Sequence, residues 1–248
     1  MDMKFSNHTT PIAREASFDA PTESYGLFGE TADILENVNG FLKIRNKRDS
    51  YEGYVHSMSL ERSPFISTHY VTQQATLIFE KQDIKSPMPF RLPFGGEVML
   101  EECGDDKFVR INQHYFGIKN HFAPLGTEIT DDFVSIAETL FIGAPYLWAG
   151  RSPDGTDCSG LVQMAAFGVG IALPRDSGEQ EAFLKEDIQD KPRKRGDIVF
   201  WKGHVGIMVN ETEIIHANAH HMKSVIEPLC DVVQRAEGAI TSVKRLSS

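Results

Sequence analysis

Downstream of Cys158 the apolar positions Leu161, Val162, Ala165, Ala166 and Val169 recur at the spacing of one helix face. This predicts a helix with a buried side and with Cys158 in its first turn. Asp154 and Gly155, just upstream, supply a tight reversal that presents the sulfur at the open end of the helix. Farther on, residues 203–209 alternate with period two. His204, Gly206 and Met208 point one way, and Val205, Ile207 and Val209 point the other, toward a core. Residues 213–217 form a second strand. With Asn210, Glu211 and Thr212 as a three-residue hairpin loop, 209 faces 213 and 206 faces 216, which sets His204 diagonal to His216 on one face. A loop of even length would send the two imidazoles to opposite faces.

The first half of the chain has a different texture. Short alternating strands at residues 31–35, 41–44 and 54–55, parted by polar turns at 37–40 and 46–50, predict a small barrel. Phe41, Leu42, Lys43 and Ile44 return as Phe108, Val109, Arg110 and Ile111. Phe28 and Gly29 return as Phe94 and Gly95, and Tyr51 and Gly53 as Tyr115 and Gly117, so the barrel is expected twice. Residues 1–23, with Pro11, Pro21 and few apolar positions, read as a tail or lead-in strand with little regular structure. After a linker at 123–126, Thr130 is expected to cap a helix with Asp131 and Asp132 in its first turn. Phe133, Ile136, Ala137 and Leu140 form its inner face, and it ends near Gly143 and Pro145. Past the hairpin, a strand is expected at 225–229, a short helix at 231–236 and a closing strand at 239–246.

Composition adds scale: 248 residues, 41% apolar, suffice for more than one core. With 25 basic against 35 acidic side chains the net charge is -10. That argues against a protein that tracks phosphate backbones or anionic lipid, so neither nucleic acid nor membrane is expected as a partner. Residues 1–20 carry no apolar run of signal-peptide length, and no stretch is long enough to span a bilayer. Cysteines at 103, 158 and 230 are too few and scattered for a disulfide framework. Together these point to the cytoplasm, with non-classical export left open.

The chemistry then rests on three residues. A thiol nucleophile needs a base to take its proton and a third group to orient the base. Cys158, His204 and His216 fill these roles in that order, and the helix dipole is expected to favour the Cys158 thiolate. A lone cysteine in a helix is as readily a buried structural residue, so the pairing of the histidines carries the weight. His216, His220 and His221 match no common zinc spacing, and neither metal nor cofactor is expected.

The ordered set Tyr146, Trp148, Gly150, Gly155, Asp157, Cys158, Ser159, Gly160, Leu173, Pro174, Arg175, Ser177, Gly196, Asp197, Phe200, His204, Val205, Gly206 and His216 resembles the NlpC-type cell-wall cysteine peptidases, over about residues 128 to 248. The resemblance implies an α+β fold, a reduced papain-like domain with the cysteine helix packed on a small antiparallel sheet. The pattern around Leu27 to Glu30 and Tyr51 to Val55 looks like a bacterial SH3-like barrel, which often precedes such domains. The organisation implied is a tail or lead-in strand at 1–23, one barrel at 24–65, a second at 66–127 and the peptidase domain at 128–248. A basic loop at 191–195 departs from the family's usual neutral stretch.

The family's activity, carried over, is cleavage of peptidoglycan stem peptides between γ-D-glutamate and a diamino acid, meso-diaminopimelate or lysine. The resemblance places Tyr146 as a hydroxyl near the thiol, and Asp157, Ser159, Arg175, Asp176 and Ser177 as wall or binding residues of the cleft. In relatives with this arrangement the first barrel recognises the free amino end of the peptide, for which Glu52, Tyr51 and Tyr54 are candidates. The expected substrates are peptides of the type L-Ala-γ-D-Glu-diamino acid, met in cell-wall recycling or turnover. Two other readings stand beside this: an amidase or acyl transferase using the same triad, and a non-catalytic module that grips wall fragments. The oligomeric state is open.

Overall fold

The computed structural model describes residues 2–87 and 90–246, which divide into two compact units between Ile129 and Thr130. The first unit opens with seven strands, β1 (Asp2–Phe5), β2 (Thr9–Ala13), β3 (Thr22–Leu27), β4 (Thr31–Val38), β5 (Phe41–Asn46), β6 (Glu52–His56) and β7 (Leu60–Ser63). They form one antiparallel sheet in the order β3-β2-β6-β5-β4-β1-β7. Phe5, Ile12, Ala32, Leu42, Ile44, Val55 and Leu60 fill its core. Residues 2–13, expected to hold little regular structure, are thus two working strands. β1 lies between β4 and β7, with Met3 opposite both Ala32 and Arg62. A barrel sheet needs partners on its edges, and one deeply buried apolar side chain on each strand, Phe5 and Ile12, anchors sequence that otherwise reads as polar.

Eight short strands follow: β8 (His69–Val71), β9 (Ala75–Ile78), β10 (Phe90–Pro93), β11 (Glu97–Val98), β12 (Leu100–Glu101), β13 (Phe108–Ile111), β14 (Tyr115–Ile118) and β15 (Phe122–Pro124). Their pairing repeats the first barrel. β8 takes β11 and β15 as neighbours just as β1 takes β4 and β7. The β13–β14 hairpin leads through a 3-10 turn at Lys119–His121 into β15, as β5–β6 leads through Ser57–Ser59 into β7. Gly29 and Gly95 stand at matching places with φ of 77° and 80°, where a side chain is disfavoured. Arg48 ties the repeats together, its Nε 2.7 Å from Glu30 and its NH2 2.8 Å from Glu97.

The second unit begins with α1 (Phe133–Ile136), which widens into a π turn over Ala137–Phe141. Its cap is Asp132, whose carboxylate accepts from Val134 N at 3.0 Å, rather than Thr130. Thr130 instead accepts from Asp132 N, one step outside the helix. Phe133, Ile136, Ala137 and Leu140 are buried as expected. Arg195, from the basic loop, clamps this helix by reaching Asp132 at 2.7 Å and Glu138 at 2.6 Å.

A small hairpin, β16 (Arg151–Ser152) and β17 (Gly155–Thr156), turns the chain into α2 (Cys158–Phe167), and α3 (Ser177–Phe183) follows. The remaining elements are β18 (Glu186–Asp187), β19 (Asp197–Trp201), β20 (His204–Met208), β21 (Glu213–Asn218), β22 (Lys223–Pro228), α4 (Leu229–Arg235) and β23 (Ser242–Arg245). The six strands form an antiparallel sheet in the order β18-β23-β19-β20-β21-β22. α2 was expected to bury one face, yet every residue from Cys158 to Ala166 is buried. Gly160, Ala165 and Ala166 are small enough to let β16, β20, β21 and α1 pack around it, which makes α2 the central helix of the unit. Among the described residues no helix is long and apolar enough to cross a membrane.

Candidate active site

The head of α2 is held by a buried polar network. Asp157, the N-cap, accepts from Gly160 N at 2.7 Å with one oxygen, and from Ala149 N at 2.9 Å and Arg175 NH2 at 2.7 Å with the other. Arg175 also donates to Ser159 Oγ at 2.8 Å and to Gly150 O at 3.2 Å. Arg175 is 1% exposed, Asp157 and Ser159 6% each. These three, expected as walls or binding residues of a cleft, are spent on one another around the first turn of α2, which carries Cys158. The cause is the arginine's own demand for acceptors once out of water. Asp176 is exposed and Ser177 half-buried at the start of α3, so of the implied cleft residues these two are the more open to solvent.

The hairpin has the register that a three-residue loop requires. Ile207 faces Ile215, Met208 faces Ile214, and Val209 N donates to Glu213 O at 2.9 Å. His204 and His216 are therefore diagonal neighbours, with Nε2 of the first 2.7 Å from Nδ1 of the second. The line continues: His216 Nε2 lies 2.7 Å from Glu227 Oε1, and Arg235 pairs with that same oxygen. Glu227 went unrecognised in the sequence. Its signal was the next register: His216 faces Val225 and Ile214 faces Glu227, so Glu227 is diagonal to His216 on the shared face.

Glu227 sets the protons of this line. Burial works against its charge, but hydrogen bonds from Arg235 and His216 bring its carboxyl down to about 2, so it only accepts. His216 Nε2 must then carry a proton, and its Nδ1 accepts from His204 Nε2–H. Asn218 Nδ2, 3.1 Å from His216 Nε2, cannot donate there. The lone pair left on His204 is at Nδ1, so that nitrogen is the one able to accept a proton.

Cys158 is 8% exposed. Burial above all, then the Asp157 carboxylate, pushes the Cys158 thiol up to about 12, against the pull of the Val205 N–H, Arg175 and the Ser159 N–H. The Val205 contact brings the thiol to β20 beside His204. Burial, then the proximity of His216 and Arg235, takes His204 down to about 3, with Glu227 opposing. The resting pair is neutral thiol and neutral imidazole, not the expected dipole-favoured thiolate. A helix end contributes ~0.3–1 kcal/mol, while removing a charge from water costs several. Tyr146 is pushed up to about 12 by burial and then by Cys158 and Asp157, so its phenol keeps its proton within electrostatic reach of the sulfur.

All of these groups belong to the second unit. In the first, Glu52 receives Arg45 Nε at 2.9 Å and NH2 at 2.6 Å. Tyr51 packs against the barrel core and Tyr54 is half-buried on β6. Among the described residues no group of three or more His, Cys, Asp and Glu is placed to hold a metal.

Comparison with known proteins agrees with this geometry. The model of the NlpC/P60 family matches residues 143–237, and that of the bacterial dipeptidyl-peptidase Sh3 domain matches residues 12–60. The latter takes in β2, in keeping with strands where a tail was expected. The chain is 33% identical over 247 residues to a gamma-D-glutamyl-L-lysine dipeptidyl-peptidase of Bacillus cereus, covering 84% of this chain and 70% of the relative. To dipeptidyl-peptidase 6 of Lysinibacillus sphaericus it is 38% identical over 78 residues, 32% of this chain and 29% of the relative, so the similarity spans under a third of that protein. A crystal structure of an NlpC/P60 family protein from Bacillus cereus ATCC 10987 shares the fold, with a TM-score of 0.82 at 18% identity and 99% coverage of both chains.

Proposed function

The chain belongs to the NlpC/P60 family of cysteine peptidases, and we propose that it hydrolyses peptidoglycan stem peptides between γ-D-glutamate and the following diamino acid, when the N-terminal L-Ala is free. The observation that carries the reaction is the proton-ordered line Glu227–His216–His204 beside a thiol at the head of a capped helix. As Sγ bonds to the γ-carbonyl carbon, its proton passes to His204 Nδ1. Backbone N–H groups at the start of α2 hold the oxyanion, with the protonated Tyr146 phenol nearby. The C–N bond then breaks, the proton goes from His204 to the leaving amine, and a thioester remains on Cys158. Water attacks the thioester, gives a proton to His204, and the thiol is restored as the acid departs.

Substrate choice is supported by the first unit. Its match to a dipeptidyl-peptidase Sh3 domain, and the dipeptidyl-peptidase name of the Bacillus cereus relative, favour release of a dipeptide from a free amino end. Glu52, Tyr51 and Tyr54 are the barrel residues we assign to that ammonium, with Glu52 exchanging Arg45 for it. That all three cysteines are free supports a reducing compartment, the cytoplasm, and recycled wall peptides as substrates.

The test is incubation with L-Ala-γ-D-Glu-meso-diaminopimelate and with its N-acetylated form, products being identified by mass. Dipeptide is expected from the first only, and none from the Cys158→Ala variant. Release by Cys158→Ala would end the thiol mechanism. Equal cleavage of the acetylated peptide would remove the amino-end requirement.

A further inference from the structure

A cavity of about 530 Å³ opens beside the histidine pair, with Trp201, Lys202, His204, Arg235, Glu237 and Gly238 among its walls. His204 and His216 line it as well as taking part in the mechanism above, Arg235 serves that mechanism through Glu227, and Cys158 is not part of the lining. His204 nonetheless tells which part of a substrate belongs there. The group that takes the thiol's proton hands it to the departing nitrogen, so the residue carrying that nitrogen must sit over His204. The acyl part lies at the helix head.

The walls are chemically particular. Trp201 is 5% exposed, its ring lies 5.7 Å from that of His204, and its indole Nε1 is buried with no acceptor. A buried N–H without an acceptor is costly, and the side chain that carries this one lines the cavity. Two cations stand with it, Lys202 and Arg235. Lys202 pairs with none of the other described residues, and Arg235 reaches Glu227 through NH2 alone. Glu237, also without a partner among the described residues, supplies one negative charge. A cavity offering one buried donor, two cations and one anion is matched to a group that carries a carboxylate and an ammonium close together.

We propose that this cavity seats the side chain of the leaving diamino acid and selects one that ends in both a carboxylate and an ammonium, as in meso-diaminopimelate, over one that ends in an ammonium alone, as in lysine. Trp201 and Lys202 take the carboxylate, Arg235 reinforces them, and Glu237 takes the ammonium. This rests on the peptidase reading above, and deepens it.

The experiment compares kcat/KM for L-Ala-γ-D-Glu-meso-diaminopimelyl-D-Ala and L-Ala-γ-D-Glu-L-lysyl-D-Ala, in which the D-Ala amide removes the α-carboxylate of the diamino acid as a rival. The full chain is expected to favour the diaminopimelyl peptide about tenfold or more. Lys202→Ala, an exposed change, and Trp201→Phe, which keeps an aromatic ring of smaller size and deletes the N–H, are each expected to cut that ratio several-fold. Glu237→Gln lowers kcat/KM for both peptides. Equal turnover of the two peptides by the unaltered chain, or a ratio that neither Lys202→Ala nor Trp201→Phe moves, overturns the assignment. Should neither peptide be cut, the peptidase reading has failed. The cavity is then judged by calorimetric titration of free meso-diaminopimelate and free lysine into the Cys158→Ala chain. Tighter binding of meso-diaminopimelate, weakened by Lys202→Ala, upholds the cavity's selectivity, and equal or absent binding rejects it.

Discussion

His216 and Glu227 meet at 2.7 Å on adjacent strands, and because Glu227 is held ionised, this contact dictates which nitrogen of His204 is free to act as base. Glu227→Gln presents an amide that can offer an N–H to His216 Nε2 and so reverse the tautomer of both rings. The expected outcome is a fall in kcat of up to about 10⁴-fold with KM little changed, the size of loss met when a triad's orienting carboxylate becomes an amide. Steady-state kinetics on a stem tripeptide checks it. A rise in KM alone would show that Glu227 acts on substrate instead.

The neutral resting state of Cys158 and His204 has its own signature. With the thiol pushed up to about 12 and the imidazole down to about 3, alkylation of Cys158 by iodoacetamide should be slow at pH 6 and climb about tenfold per pH unit through pH 9. Mass-resolved labelling of that cysteine measures the rate. A plateau reaching down to pH 5 would mean that a preformed thiolate–imidazolium pair is present.

Protonation of His204 also couples to stability. Its folded value, about 3, lies below the ordinary 6.5, so below pH 6.5 the unfolded chain binds a proton that the folded chain refuses. Stability from this group is complete above pH 6.5 and is lost as pH falls toward 3, at up to about 1.4 kcal/mol per pH unit. His204→Asn, which cannot titrate, should therefore show a shallower decline of Tm between pH 6.5 and 4 than the unaltered chain. Parallel curves would contradict the depressed value.

What the sequence disclosed followed from periodicity, and what it hid followed from burial. The alternation at 203–217 and the length of one loop were enough to bring His204 to His216, since strand register is set by counting. The repeat of Phe41 to Ile44 at Phe108 to Ile111 likewise marked equivalent strands, β5 and β13. Residues 2–13 escaped notice because only Met3, Phe5 and Ile12 are large and apolar in strands whose other positions are polar, small or proline. Asp157, Ser159 and Arg175 looked like surface chemistry because charge normally means solvent. Nothing along the chain shows that an arginine and an aspartate 18 residues apart are sealed together. Glu227 needed a second hairpin register, which the unplaced turn at 219–222 left open.

That sealed pair predicts a stability cost distinct from any effect on chemistry. Asp157→Ala removes the helix cap and leaves Arg175 charged and buried, and breaking such a pair from one side costs about 3–5 kcal/mol. Denaturant unfolding should register a loss of that order. Ser177→Ala, at a half-exposed site, should lie within about 0.5 kcal/mol of the unaltered chain. A mild Asp157→Ala would return that carboxylate to the cleft.

Gly160 tests the same scaffold from the backbone side. A Cβ built there falls 2.1 Å from the carbonyl oxygen of Gly150, far inside contact distance, and that oxygen is not free to move. It accepts from Asp157 N at 3.1 Å and from Arg175 NH2 at 3.2 Å, so displacing it loosens both the cap and the buried arginine. Alanine is the better helix former by about 1 kcal/mol, which would make Gly160→Ala stabilising if local propensity decided. The clash is with backbone, and overpacking of this kind costs about 1–3 kcal/mol or more, to which the loosened polar contacts add. Gly160→Ala should therefore be destabilising by denaturant unfolding and should lower kcat as Cys158 shifts away from the His204–His216 line. A Gly160→Ala chain as stable as the parent would show that the head of α2 is not pressed against Gly150, and the tight mounting of the nucleophile would fall with it.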